Sequence, residues 1–150
     1  MKHEILVYNK TRKRIPKDFI ENVISRVLNF LKLKQPEELA VLVVGKSEIK
    51  RLNKIWRHKN YTPDELSFGL NSREKWILPT SRQVFAKTKN KVLGLGEIVI
   101  SSGRIHNKKK LTAILIHSLL HLLGYNHEKS VAKAKKMEQE EKILSNLEKF

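Results

Sequence analysis

The sequence predicts one layered domain of the α/β or α+β class, a small β-sheet packed against helices. Three observations lead there. Apolar, β-branched runs at residues 4–8 (EILVY), 39–44 (LAVLVV) and 95–101 (LGEIVIS) alternate with stretches of helical period. At 150 residues the chain is long enough to bury one core of its own, so we expect a single domain over residues 1–150. The stretch ILIHSLLHLLGYNHE, from Ile114 to Glu128, is apolar nearly all round and must lie centrally.

Taken in order, residues 4–8 read as a short strand, and Lys10 to Arg14 (KTRKR) as a basic turn. Pro16 suits the first turn of a helix, and Asp18 and Glu21 complement its dipole. Ile20, Val23, Ile24, Val27, Leu28 and Leu31 follow the i, i+3, i+4, i+7 pattern of an amphipathic helix. Gln35 to Glu38 links it to Leu39–Val44, a near-continuous apolar strand of the kind buried on both faces of a sheet. Ser47 is a natural N-cap for a second helix whose apolar face is Ile49, Leu52 and Trp56 and whose other side carries Lys50, Lys54 and Arg57. A loop, Tyr61 to Asp64, breaks at Pro63 and leads into a short strand at Leu66 to Phe68. Trp76 to Leu78 reads as a hairpin arm and Ser81 to Lys87 as a short helix; Leu95 to Ser101 is a strand after a glycine-bearing turn. A linker, Gly103 to Lys110, carries Lys108, Lys109 and Lys110 facing water, and precedes the central helix. From Ser130 a charged final helix packs weakly through Val131, Ala134, Met137, Leu144 and Leu147.

Charge points to the partner. Thirty-one Lys and Arg against fifteen Asp and Glu give a formal net charge of +16, the footprint of a polyanion-binding protein, most often a nucleic-acid binder. A basic amphipathic helix with aromatic anchors, the mark of a membrane-surface binder, is absent. The N-terminal apolar run is too short for a signal peptide, and no run approaches the ~18 apolar residues of a membrane span. With no cysteine there is neither a disulfide framework nor a thiolate metal site, and we expect a cytoplasmic protein.

The chemistry lies in the central stretch. His117 and His121 are four residues apart, which stacks both imidazoles on one helix face. Gly124 falls where a helix C-cap favours positive φ, and a reversal there through Tyr125 and Asn126 brings His127 back to the first two. Burying several imidazoles without partners is costly, and half of the chain's six histidines sit here at ligand spacing. Three neutral imidazoles suit one divalent ion, zinc first, with an open coordination position. The spacing is that of the extended zinc-protease motif, H-E-x-x-H-x-x-G-x-x-H, except that Ser118 stands where the protease has its general-base glutamate. Loss of such a base typically costs ~10²–10⁴ in rate, so peptide hydrolysis by that route is disfavoured. A metal and an arginine together can neutralise charge on a phosphodiester; Arg57, which ends its helix where the chain turns into a loop, is a better candidate for a functional role than Lys50 or Lys54.

The motif as it stands, HSLLHLLGYNH, resembles the H-G-x-L-H-L-x-G-Y-D-H of the YbeY family, bacterial rRNA-maturation endoribonucleases with a bound zinc. LGEIVIS resembles the family's L-G-D-I-V-I-S, Asn53 to Phe68 resembles N-x-x-[YF]-R followed by P-T-D-V-L-S-F, and MEQEEKIL resembles its closing helix. The resemblance implies an α+β, zincin-like fold in which a small mixed sheet is flanked by helices and a central apolar helix carries the histidines. It also implies one zinc ion on His117, His121 and His127, a functional arginine at Arg57, a single-stranded RNA substrate, 16S rRNA 3′-end processing and association with the small ribosomal subunit. The chain departs from the family pattern at Ser118 (for glycine), Asn126 (for aspartate), Glu65 (for valine) and in the reversed order of Thr62 and Pro63.

Two other readings use the same residues. An RNA-binding or ribosome-assembly factor would hold zinc structurally, which calls for a fourth protein ligand that His3, His58 and His106 are not spaced to supply. A metallopeptidase would have to recruit its base from elsewhere, from Asp64 or Glu97.

Overall fold

The computed structural model describes residues 3–31, 36–69, 94–123, 138, 140–142, 144 and 145. Outside these lie the expected hairpin arm at Trp76 to Leu78, the helix at Ser81 to Lys87, the reversal at Gly124 to Asn126 with His127, and most of the final helix.

Four strands form one sheet: β1 (Glu4–Asn9), β2 (Glu38–Val44), β3 (Glu65–Gly69) and β4 (Gly94–Ser101). Their order is β1-β2-β4-β3, with β1, β2 and β4 parallel and β3 antiparallel at the edge. The helices are α1 (Lys17–Phe30), α2 (Lys46–Arg57) and α3 (Lys108–Leu122), and residues 138, 140–142, 144 and 145 are also helical. This is the small mixed sheet with flanking helices expected of an α+β fold.

The apolar run that suggested a doubly covered strand is β2, buried at every position. Alternate residues serve the two faces. Val41, Val43, Ile98 and Ile100 meet α1 and α3, with Leu115, Leu119 and Leu144 in the same core. Ala40, Leu42, Val44 and Val99 meet α2 through Ile49 and Leu52, together with Leu66 and Phe68 of β3. None of the helices among the described residues is long and apolar enough to cross a membrane.

Two helix starts differ from expectation. Gly45, not Ser47, is the N-cap of α2, because the buried end of β2 at Val44 forces the chain to turn there; Ile49 N then donates to Gly45 O at 3.1 Å. The three lysines of the linker belong to the first turn of α3, since Asn107 caps it by accepting from Lys110 N at 3.1 Å. That cap offsets the unfavourable placing of cations at a helix N-terminus.

Gly96 fixes how β3 and β4 meet. Leu95 interrupts the β2–β4 register, and Gly96 follows it at φ 145°, where a Cβ would lie 2.3 Å from Phe68 O. Gly96→Ala therefore combines backbone strain with a clash. We expect it to destabilise the fold by more than the ~1–3 kcal/mol of strain alone, measured by urea unfolding. A change within ~0.5 kcal/mol would contradict this account of the strand pair.

Candidate active site

Helix α3 is held by Leu111, Leu115, Ile116, Leu119 and Leu120, all fully buried, so the position of its polar residues is fixed by packing. His117 and His121 lie on one face, one turn apart, as their spacing requires. Their Nε2 atoms are 3.0 Å apart and their ring planes are inclined by 69°. Two imidazoles on one tetrahedral zinc, with Zn–N ~2.0–2.1 Å, would place these nitrogens ~3.3 Å apart. The pair therefore fits a shared ion with a small adjustment. Among the described residues no third His, Cys, Asp or Glu completes a metal-holding group; His127 lies outside them.

His117 is also gripped from behind. Its Nδ1 donates to Glu141 Oε1 at 2.6 Å, which selects the tautomer whose Nε2 offers its electron pair towards His121. Glu141 reaches this position because Leu144, one turn further on, is buried in the core shared with α3. The Glu141 hydrogen bond holds the imidazolium of His117 above the ordinary histidine range; partial burial works against this, and the charges of Glu141 and Glu65 work with it.

In front of His117 is a cleft of about 570 Å³ whose lining includes Arg57, Tyr61, Asp64, Glu65, His117 and Glu141. Arg57 reaches it from the last turn of α2. There the chain leaves the helix through His58 in a left-handed conformation, φ 58° and ψ 35°. Buried Asn53 ties the loop back, its side-chain Nδ2 donating to Tyr61 O at 3.1 Å and its backbone carbonyl accepting from Lys59 N at 3.3 Å. The arginine singled out from sequence thus shares a cleft with His117.

The two carboxylates considered as substitute bases fall differently. Glu97 is fully buried on β4 and pairs in register with Ala40 and Phe68, which puts it on the α2 face of the sheet, opposite the histidines. It has no access to chemistry at His117. Asp64 lines the cleft, but its Oδ1 accepts from Arg104 Nε at 2.6 Å.

A family model described as Endoribonuclease YbeY matches residues 6–148. The chain belongs to the YbeY family. Among YbeY relatives, one of Thermodesulfovibrio yellowstonii, named Endoribonuclease YbeY, is 33% identical over 171 aligned residues, covering 98% of this chain and 99% of its own. Another of that name, from Syntrophomonas wolfei, is 34% identical over 140 residues, covering 86% and 80%. The solution structure of a Thermotoga maritima protein superposes with a TM-score of 0.56 at 22% identity, over 95% of this chain and 87% of that one, and shows the same fold.

Two residues of this candidate site were given no role from the sequence: Glu141, and Glu65, which stood out only as a departure from the YbeY pattern. The YbeY-like closing segment MEQEEKIL held the signal for the first, since Glu141 and Leu144 are one helical turn apart. For metal-free protein we expect the His117 imidazole to titrate above its ordinary value, and Glu141→Gln to lower it, both read from ¹⁵N-edited NMR. By linkage, the stability this contact contributes is fully present below the unfolded histidine value of ~6.5 and is lost as pH rises through the raised folded value. A His117 titration unmoved by Glu141→Gln would contradict the assignment.

Proposed function

We propose that the chain is a single-strand-specific, metal-dependent endoribonuclease, one hydrolase domain over residues 1–150. In this reading it acts in 16S rRNA 3′-end maturation and ribosome quality control in the cytoplasm, in association with the small ribosomal subunit. The observation that carries it is the convergence of the His117 and His121 Nε2 atoms beside a cleft that also receives Arg57. Membership of an endoribonuclease family makes the chain a nuclease, and hence a hydrolase, with RNA as substrate.

His117 and His121, with His127 as third ligand, would hold one zinc ion, which supplies Lewis acidity to the site when bound. Glu141 keeps the His117 ring turned to offer Nε2. Arg57 brings a fixed positive charge to the cleft, where it binds a phosphodiester and offsets the charge that develops on its oxygens.

The basic surface supports a polyanion substrate. Because β1, β2 and β4 are parallel, the segments that follow them leave the same end of the sheet, and the antiparallel β3 begins there with the cleft residue Glu65, just after Asp64 of the same cleft. Exposed Lys10, Arg12, Lys13, Arg14 and Lys46 follow β1 and β2. Asn9 stiffens the first of these segments, its Oδ1 accepting from Thr11 N at 2.9 Å and its Nδ2 donating to Lys13 O at 2.6 Å. Lys108 belongs to the same region, its Nζ 5.4 Å from the centre of the Phe19 ring near the start of α1.

The test is cleavage of a labelled single-stranded RNA by metal-loaded parent, His121→Ala and Arg57→Ala, with RNA binding measured in parallel. We expect His121→Ala to lose cleavage while still binding RNA, and Arg57→Ala to slow cleavage by about 10²–10³-fold. Equal cleavage by parent and His121→Ala would place the activity outside this site and favour a non-catalytic RNA-binding or ribosome-assembly factor. Cleavage of a peptide library by the zinc-loaded protein would favour a metallopeptidase.

A further inference from the structure

Two of the departures from the YbeY pattern touch each other. Ser118, in place of glycine, donates through Oγ to Glu65 Oε2 at 2.8 Å, and Glu65 stands in place of valine. Neither glycine nor valine could make this bond. Ser67 Oγ donates to the same oxygen at 3.0 Å. Glu65 lies on the α3 face of β3, in register with Ile100, and lines the cleft beside His117.

The Ser118 bond is not the default for a buried helical hydroxyl. Thr112, on the same helix, satisfies itself by donating to Lys108 O one turn back, at 2.8 Å. Ser118, fully buried, reaches instead across to the sheet. Two hydroxyls donating to Oε2 fix the carboxylate as an acceptor and set its rotation, which leaves Oε1 without a hydrogen-bond partner among the described residues. A half-buried carboxylate in a cleft built for phosphates repels the substrate, so its orientation there calls for a chemical use. Ser118 also occupies the position at which the zinc-protease motif carries its glutamate. The strand supplies, through space, the carboxylate that the helix lacks.

We infer that Glu65 is the general base of this chain's phosphodiester cleavage and that Ser118 and Ser67 are its positioning residues. This rests on the nuclease reading above. Glu65 Oε1 accepts a proton from a water molecule as a lone pair on that water's oxygen forms the bond to phosphorus. The bond from phosphorus to the leaving ribose oxygen breaks, its electron pair stays on that oxygen, and the proton held by Glu65 passes to it. Nothing else is consumed.

The test compares E65Q, S118A and the double variant with the parent, all zinc-loaded, for kcat and KM on single-stranded RNA, RNA affinity and bound zinc. Glutamine keeps a carbonyl oxygen for the two serines but cannot serve as the base. We expect E65Q to lower kcat about 10²-fold or more with zinc content unchanged and with RNA affinity unchanged or tighter, since the variant removes a charge that repels the substrate. S118A should lower kcat about tenfold alone, the worth of one hydrogen bond to a charged group, and add nothing to E65Q. An E65Q kcat within threefold of the parent overturns the inference while His121→Ala, if inactive, leaves the nuclease reading standing. Loss of zinc or of RNA affinity in E65Q also overturns it, since Glu65 would then be a ligand or an RNA contact. Multiplying effects in the double variant overturn the positioning role of Ser118. Full activity of His121→Ala overturns both readings together.

Discussion

His117 is constrained at both ring nitrogens, by Glu141 at 2.6 Å and by the facing Nε2 of His121 at 3.0 Å, and the rest of the site is arranged around that ring. Three separate elements must be in place for it: α3 for both imidazoles, the closing helical segment for Glu141, and the sheet beneath for the packing that holds α3. Each fully buried leucine or isoleucine of α3 contributes ~1.5–3 kcal/mol, and those contributions offset the cost of keeping a histidine pair, a serine and two carboxylates partly out of water. The core and the site are one device.

The sheet divides the labour. Its α2 face is almost wholly apolar, and Glu97, buried there, is cut off from the histidines by the sheet itself. The α3 face carries the candidate site at its β3 edge, where Glu65 accepts from Ser118 of the helix. Because β3 runs against its neighbours, its first residues lie at the end of the sheet where the parallel strands release their basic loops. One antiparallel strand thus brings the cleft and the positive surface together.

What could be read from the sequence was local. The period of α1 and the continuous burial of β2 both emerged as their patterns required, and an i, i+4 spacing placed His117 and His121 on one face. Arg57 was legible as the end of a basic helix face meeting a loop, and the structure brings it to the cleft of His117. Ser47 misled because a side-chain cap signal competed with the steric end of a buried strand, and the strand won. Glu65 and Glu141 were hidden for a different reason. Their partners are 53 and 24 residues away, and no periodicity reports a contact made by the packing of separate elements. The departures at Ser118 and Glu65 were visible singly; that they form one bond needed the fold.

The central claim is that His117, His121 and His127 hold one ion. Zinc K-edge X-ray absorption of the loaded protein, repeated on His117→Ala, tests it most directly. The account requires one bound zinc per chain with about three imidazole nitrogens near ~2.0–2.1 Å, and loss of that imidazole pattern or of the zinc itself in the variant. A spectrum without imidazole scattering, or one unchanged by His117→Ala, would contradict it.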